Sequence, residues 1–116
     1  MTKVPFSATV RPENGVVLVD FAGDIDRDAG ADLDAAYSAA AELDGSLVLN
    51  FGDVNYINST GIALIVGMLA RARTTGREVS AFGLSDHYRQ IFEITRLSDF
   101  MDIYEEEGAA VSAAGH

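Results

Sequence analysis

The sequence predicts an α/β fold: a mixed sheet of four to five strands that starts with an antiparallel hairpin and packs with three to four helices. Two observations carry this. Asn14-Gly15 lies between two strand-like runs, the strongest short-range signal for a hairpin. Beyond the hairpin, helical and strand-like patterns alternate to the end of the chain, which calls for parallel crossovers with helices laid on the sheet.

The elements follow in order. Phe6, Ala8 and Val10 alternate with Ser7, Thr9 and Arg11, the period of a strand with one buried face. Val16 to Phe21 is β-branched and nearly all apolar, which suits a central strand buried on both faces. Gly23-Asp24-Ile25-Asp26 reads as a loop. A helix is expected from about Ala29 to Leu43, with Leu33, Tyr37, Ala40 and Leu43 on its apolar face. Asp28, Asp32 and Asp34 crowd its first half, where the helix dipole favours negative charge. Asp44-Gly45 ends it.

Leu47 to Phe51 is the third strand. A very apolar helix follows Asn58 and runs to about Arg73, with Ile62, Val66, Leu69 and Ala70 expected as its core stripe. Ile65 and Met68 extend that stripe, and Leu64 and Gly67 lie further round. Glu78 to Phe82 is the fourth strand. Ser85 caps a helix to about Ile94, with Tyr88, Ile91 and Phe92 inward. Phe100 to Tyr104 is a short last strand. The expected organisation is one domain, residues 1–116, with a core at about 6–104 and a frayed tail at 105–116.

Composition removes several function classes. There is no cysteine, which excludes disulfides, thiolate zinc sites and cysteine nucleophiles. The net charge of -10 opposes nucleic acid and anionic lipid, and favours a basic protein partner. Ile62 to Ala70 is the longest apolar stretch and is too short to span a bilayer. Residues 1–6 lack the apolar run of a signal peptide. The expectation is a cytoplasmic protein without a membrane or nucleic-acid partner.

Asp24, Asp26 and Asp28 invite a metal reading, but an EF-hand loop starting at Asp24 needs Gly and Glu where the chain has Ala29 and Ala35. No metal and no cofactor is expected. Hydrolysis would need His87 or the terminal His116 as base, and no Gly-x-Ser-x-Gly elbow is present, so no catalytic residues are assigned.

The informative stretch is Asp53-Val54-Asn55-Tyr56-Ile57-Asn58-Ser59-Thr60-Gly61-Ile62. It puts Ser59 at or beside a helix N-terminus. A hydroxyl there serves as a cap, a nucleophile or a phosphorylation site. Three polar residues in a row exceed what one cap needs, and no reciprocal capping box exists. A phosphate on Ser59 would be tolerated by the free N–H groups of the helix start. Gly61 keeps that start free of side-chain bulk, open to another protein.

This stretch is similar to the signature of STAS domains, in particular the bacterial anti-sigma factor antagonists. Gly23-Asp24-Ile25-Asp26 resembles a turn of that family. Ile91-Phe92-Glu93-Ile94-Thr95-Arg96-Leu97 followed by Phe100-Met101-Asp102-Ile103-Tyr104 resembles its C-terminal signature. The resemblance covers roughly Phe6 to Glu107 and implies the STAS fold and a non-enzymatic partner switch. In that switch the unphosphorylated antagonist binds an anti-sigma factor, itself a serine kinase of the histidine-kinase-like ATPase type, and frees the sigma factor. Phosphorylation breaks the complex, and a PP2C-type phosphatase resets it. Carried over, Ser59 rather than Thr60 is the phosphoacceptor. Asp24, Asp26, Asn58, Ser59, Thr60, Gly61, Leu64 and Met68 are the expected partner contacts. The residue before the serine is commonly Asp in the family and is Asn58 here. The alternative is a structural STAS subunit of a lipid-transport ATPase or stress-signalling assembly, with Ser59 only a helix cap.

Overall fold

Residues 3–114 are described by a computed structural model. Strands β1 (Ser7–Glu13) and β2 (Val16–Ile25) form the antiparallel hairpin, turning at Asn14 and Gly15, both at positive φ. Helix α1 (Gly30–Ala41) leads to β3 (Ser46–Ile57), α2 (Ser59–Thr74) to β4 (Val79–Phe82), and α3 (Asp86–Ile94) to β5 (Asp102–Tyr104). Strand order follows chain order, and every pairing after the hairpin is parallel. A sheet growing in one direction by right-handed crossovers collects its helices on one face. The core agrees: Leu33 and Tyr37 of α1, Ile65 and Leu69 of α2 and Phe92 of α3 share one cluster with Val17, Val19, Phe21, Leu49 and Phe51. Phe6, Phe21, Phe51 and Phe92 step across the sheet with ring centroids 5.7, 5.3 and 5.7 Å apart. Phe92 thereby joins α3 to β3, and Phe51 to Phe21 joins β3 to β2.

Two strands outrun their expected ends. β2 continues through Gly23–Ile25, expected as a loop, and β3 continues from Phe51 to Ile57 through the turn expected there. Register shifts between Asp20 and Ala22 and between Gly23 and Asp24 let the two keep pairing as far as Ile25 and Ile57. The bulged ladder delivers Asp24 and Tyr56 side by side at its end.

The expected frayed tail is instead α4 (Glu107–Ala114), with Ala110 fully buried. Alternate residues of the inner strands, Val16, Leu18, Val48 and Phe82, point to the face without crossover helices and need cover. Small side chains let α4 lie close to them.

Arg11 ties this helix to the sheet. Its guanidinium pairs with Glu107 at 2.7 Å and with Asp20 at 2.5 Å, and Asn50 donates to Asp20 at 2.8 Å. Arg11 holds the Asp20 carboxyl below the ordinary carboxylate value; burial opposes it, and the Asn50 hydrogen bond adds a smaller lowering. A carboxyl depressed in the folded state stabilises above its unfolded pKa and loses that stabilisation as pH falls through its folded pKa. The pair is partly exposed, so the effect is below about 1 kcal/mol. Urea unfolding at pH 7 and below pH 4 is therefore expected to show a smaller acid loss in Asp20→Asn than in the native chain. Equal losses would remove Asp20 from the account.

Candidate partner-docking site

The site is built where β2 and β3 end. The Asn58 N–H donates to Ile25 O at 3.3 Å, so the last residue of β2 holds the start of α2. Asn58 is the N-cap: its backbone is extended, and its Oδ1 accepts from the Gly61 N–H at 2.8 Å. The reading of Ser59 as the cap is thereby overturned. Ser59 is the first helical residue and is exposed, as is Thr60.

Gly61 and Met68 do not face outward. A Cβ on Gly61 would stand 2.0 Å from Ile25 O, so the missing side chain admits the strand end rather than a partner. Met68 is buried in the core. The facing of α2 agrees with the expected stripe at Ile65, Met68 and Leu69 and differs at Val66, Ala70 and Ile62. Gly61, Ile65, Met68, Leu69 and Ala72 point inward, whereas Val66 and Ala70 are exposed and Ile62 is half-buried. Apolar residues all round this helix leave no moment to orient it, and the close approach at Gly61 sets its rotation. Ser59, Ala63, Val66 and Ala70 consequently form one exposed line along the helix. Leu64 is half-buried, near Gly30 of α1.

Tyr88 of α3 supports the strand end from below, its hydroxyl accepting from the Ile57 N–H at 2.9 Å. Tyr88→Phe leaves that N–H without its partner and is expected to cost about 1–3 kcal/mol in urea unfolding. An unchanged midpoint would show that the bond contributes nothing.

The acidic turn is beside the helix start. Asp24 exchanges backbone and side-chain contacts with the N-terminal segment. Its N–H donates to Val4 O at 3.0 Å and its Oδ2 accepts from the Val4 N–H at 3.2 Å. Gly23, at φ +86, makes room for Pro5 O, which a Cβ would meet at 2.1 Å. Asp26 caps the short 3-10 turn Arg27–Ala29 by accepting from the Asp28 N–H at 3.0 Å. Lys3 bridges Asp26, at 2.9 Å, and Asp28. Asp28, then Asp26, raises the Lys3 pKa, and Lys3 lowers that of Asp28. Asp26, Arg27, Asp28, Asn58 and Thr60 line an open cleft of about 330 Å³.

The structure thus brings Asp26, Asn58 and Thr60 together on one cleft, with Ser59 between the last two in the chain and Asp24 on the same strand end. Three residues of this surface were missed in the sequence: Lys3, Arg27 and Tyr56, which is 53% exposed. Tyr56 carried a signal, a large aromatic between polar neighbours just before a helix. Lys3 carried none, because its partners are more than twenty residues away. His87 is exposed at the start of α3, and His116 lies outside the described residues. Among the described residues no helix is long and apolar enough to cross a membrane.

A family model described as "Mlab, STAS domain" matches residues 8–104. The anti-sigma-B factor antagonist of Listeria monocytogenes is 34% identical over 88 residues, 75% of this chain and 77% of that protein. The protein of the same name in Staphylococcus aureus is 37% identical over 59 residues, 51% of this chain and 55% of its own length. Among solved structures, an anti-sigma factor antagonist from Mycobacterium paratuberculosis superposes with a TM-score of 0.78 at 24% identity, covering 97% of this chain and 96% of its own. Phosphorylated SpoIIAA of Bacillus superposes at 0.69 with 20% identity, covering 94% and 99%. At these identities the two structures speak for the fold, and the matched model together with the Listeria relative assigns the family: the chain belongs to the STAS domain family.

Proposed function

We propose that this chain is an anti-sigma factor antagonist switched by phosphorylation of Ser59. One observation carries the reading: Asn58 does the capping, so the Ser59 hydroxyl stands exposed at the head of the apolar line Ala63, Val66, Ala70. The names of the sequence relatives support it. In the unphosphorylated state the apolar line buries against the anti-sigma factor, and Asp24 and Asp26 meet basic residues on its rim. The anti-sigma factor is a histidine-kinase-like ATPase. It supplies the ATP and the base; this chain supplies the acceptor oxygen. Ser59 Oγ attacks the γ-phosphorus, the bond to ADP breaks, and the hydroxyl proton leaves to the kinase base. The ester adds about -1.5 to -2 charges in the middle of the contact, which expels the partner. A PP2C-type phosphatase restores the hydroxyl. The work is done in the cytoplasm.

Intact-mass spectrometry of the protein from its native cells, with peptide mapping across residues 50–71, tests this. A phosphate on Ser59 is expected. Its absence under every growth and stress condition would overturn the switch. The same apolar line would serve a permanent subunit interface in a larger assembly, and co-purification insensitive to ATP and phosphatase would favour that second reading.

A further inference from the structure

Ser80 is a polar residue in the middle of a buried strand, far in the chain from the docking site. It stands in β4 and is 6% exposed. Its side chain shares a face with Phe82, two residues on, which packs with Ala110 of α4. Among the described residues no protein group is within hydrogen-bond reach of the Ser80 hydroxyl, and no other buried side-chain polar atom is in that position. Buried hydroxyls are ordinarily paired, because an unpaired one forfeits its hydration for nothing.

The hydroxyl lines a cavity of about 40 Å³ beneath the last turn of α4. Ala113 and Ala114 bound it from the helix side. Their side chains end at Cβ, so they leave the space and offer Ser80 no partner. Ser46, Glu78, Asp102 and Tyr104 complete a lining whose side-chain polar atoms are all oxygen. Asp102 is the ladder partner of Ser80 on β5. Adjacent strands stand about 4.8 Å apart. One water spans such a gap with two hydrogen bonds of about 2.8 Å each.

We propose that this cavity is a water-binding site. An ordered water accepts from Ser80 Oγ and donates to the Asp102 carboxylate, pinning β4 to the edge strand β5 beneath α4. Such a water needs about 10–15 Å³ and two to four polar partners. The cavity exceeds that volume, and the hydroxyls of Ser46 and Tyr104 add to the partners on its wall. The bridge explains how α4 closes over a polar residue in a face otherwise built from Val16, Leu18, Val48 and Phe82. It is independent of the switch at Ser59.

Ser80→Ala tests the site by the sign of its effect. A hydroxyl bonded to water stabilises the fold, so its removal is expected to raise the unfolding constant about fivefold in urea titration. A hydroxyl without a partner is a penalty, and removing it would stabilise instead. A midpoint unmoved or raised in Ser80→Ala would overturn the proposal. A crystal structure of the full native chain identifies the occupant. One water within about 3.2 Å of both Ser80 Oγ and an Asp102 carboxylate oxygen is expected. A dry cavity would overturn the proposal, as would a metal cation there, recognised by oxygen ligands at about 2.0–2.6 Å.

Discussion

Ser59→Glu is expected to weaken binding to the histidine-kinase-like anti-sigma factor by at least about 100-fold, close to 2.7 kcal/mol, while Ser59→Ala binds as the native chain does. The reasoning is electrostatic and local. Ser59 is exposed and does not cap α2, so neither variant removes a hydrogen bond that holds the fold. Glutamate adds one charge where apolar surface is desolvated and where Asp24, Asp26 and Asp28 already stand. Isothermal titration of the three proteins reads the difference. Equal affinities would mean that position 59 lies outside the interface.

Gly61→Ala is expected to destabilise the fold by about 3 kcal/mol, the upper range for inserting a methyl into packed structure. The sign is the informative part. Glycine to alanine inside a helix ordinarily stabilises by about 1 kcal/mol. At Gly61 the new Cβ would stand 2.0 Å from Ile25 O and 2.8 Å from Ile25 C, and backbone atoms cannot rotate away. Shifting α2 outward would break the Asn58 N–H bond to the same oxygen. Gly67, two turns on and exposed, meets nothing within 4 Å. Gly67→Ala is therefore expected to stabilise by up to about 1 kcal/mol. Urea unfolding of the pair should give opposite signs. A stable Gly61→Ala would contradict the close approach that sets the rotation of α2.

That rotation is also where the sequence was least readable. Periodicity orients a helix only when one side is polar, and α2 is apolar nearly all round. Its inward face, Gly61, Ile65, Met68, Leu69 and Ala72, was settled by a strand end more than thirty residues earlier in the chain. The hairpin and the cap at Ser85 were legible because both are local: Asn14-Gly15 turns the chain wherever it sits, and Ser85 accepts from the Tyr88 N–H three residues on. The ends of β2 and β3 were not, because bulges let polar residues such as Asp53 and Asn55 stay in strand. The docking of α4 on the sheet was illegible for a related reason. Its Ala-rich sequence says little alone, and its need arises from Val16, Leu18, Val48 and Phe82 on three other strands. At the site, Ser59, Asn58, Asp24 and Asp26 sit in contiguous motifs and could be named. Lys3 acts across the fold, through ion pairs to Asp26 and Asp28 that no spacing announces.

The most direct test of the central claim is the phosphate content of Ser59 in two pools from the same cells. One pool is the protein recovered in complex with its ATPase partner; the other is the free protein. Peptide mass spectrometry gives the occupancy of each. Phosphate confined to the free pool is the predicted result. Equal occupancy in both pools would contradict it, because a phosphate that does not separate the two proteins is not the switch.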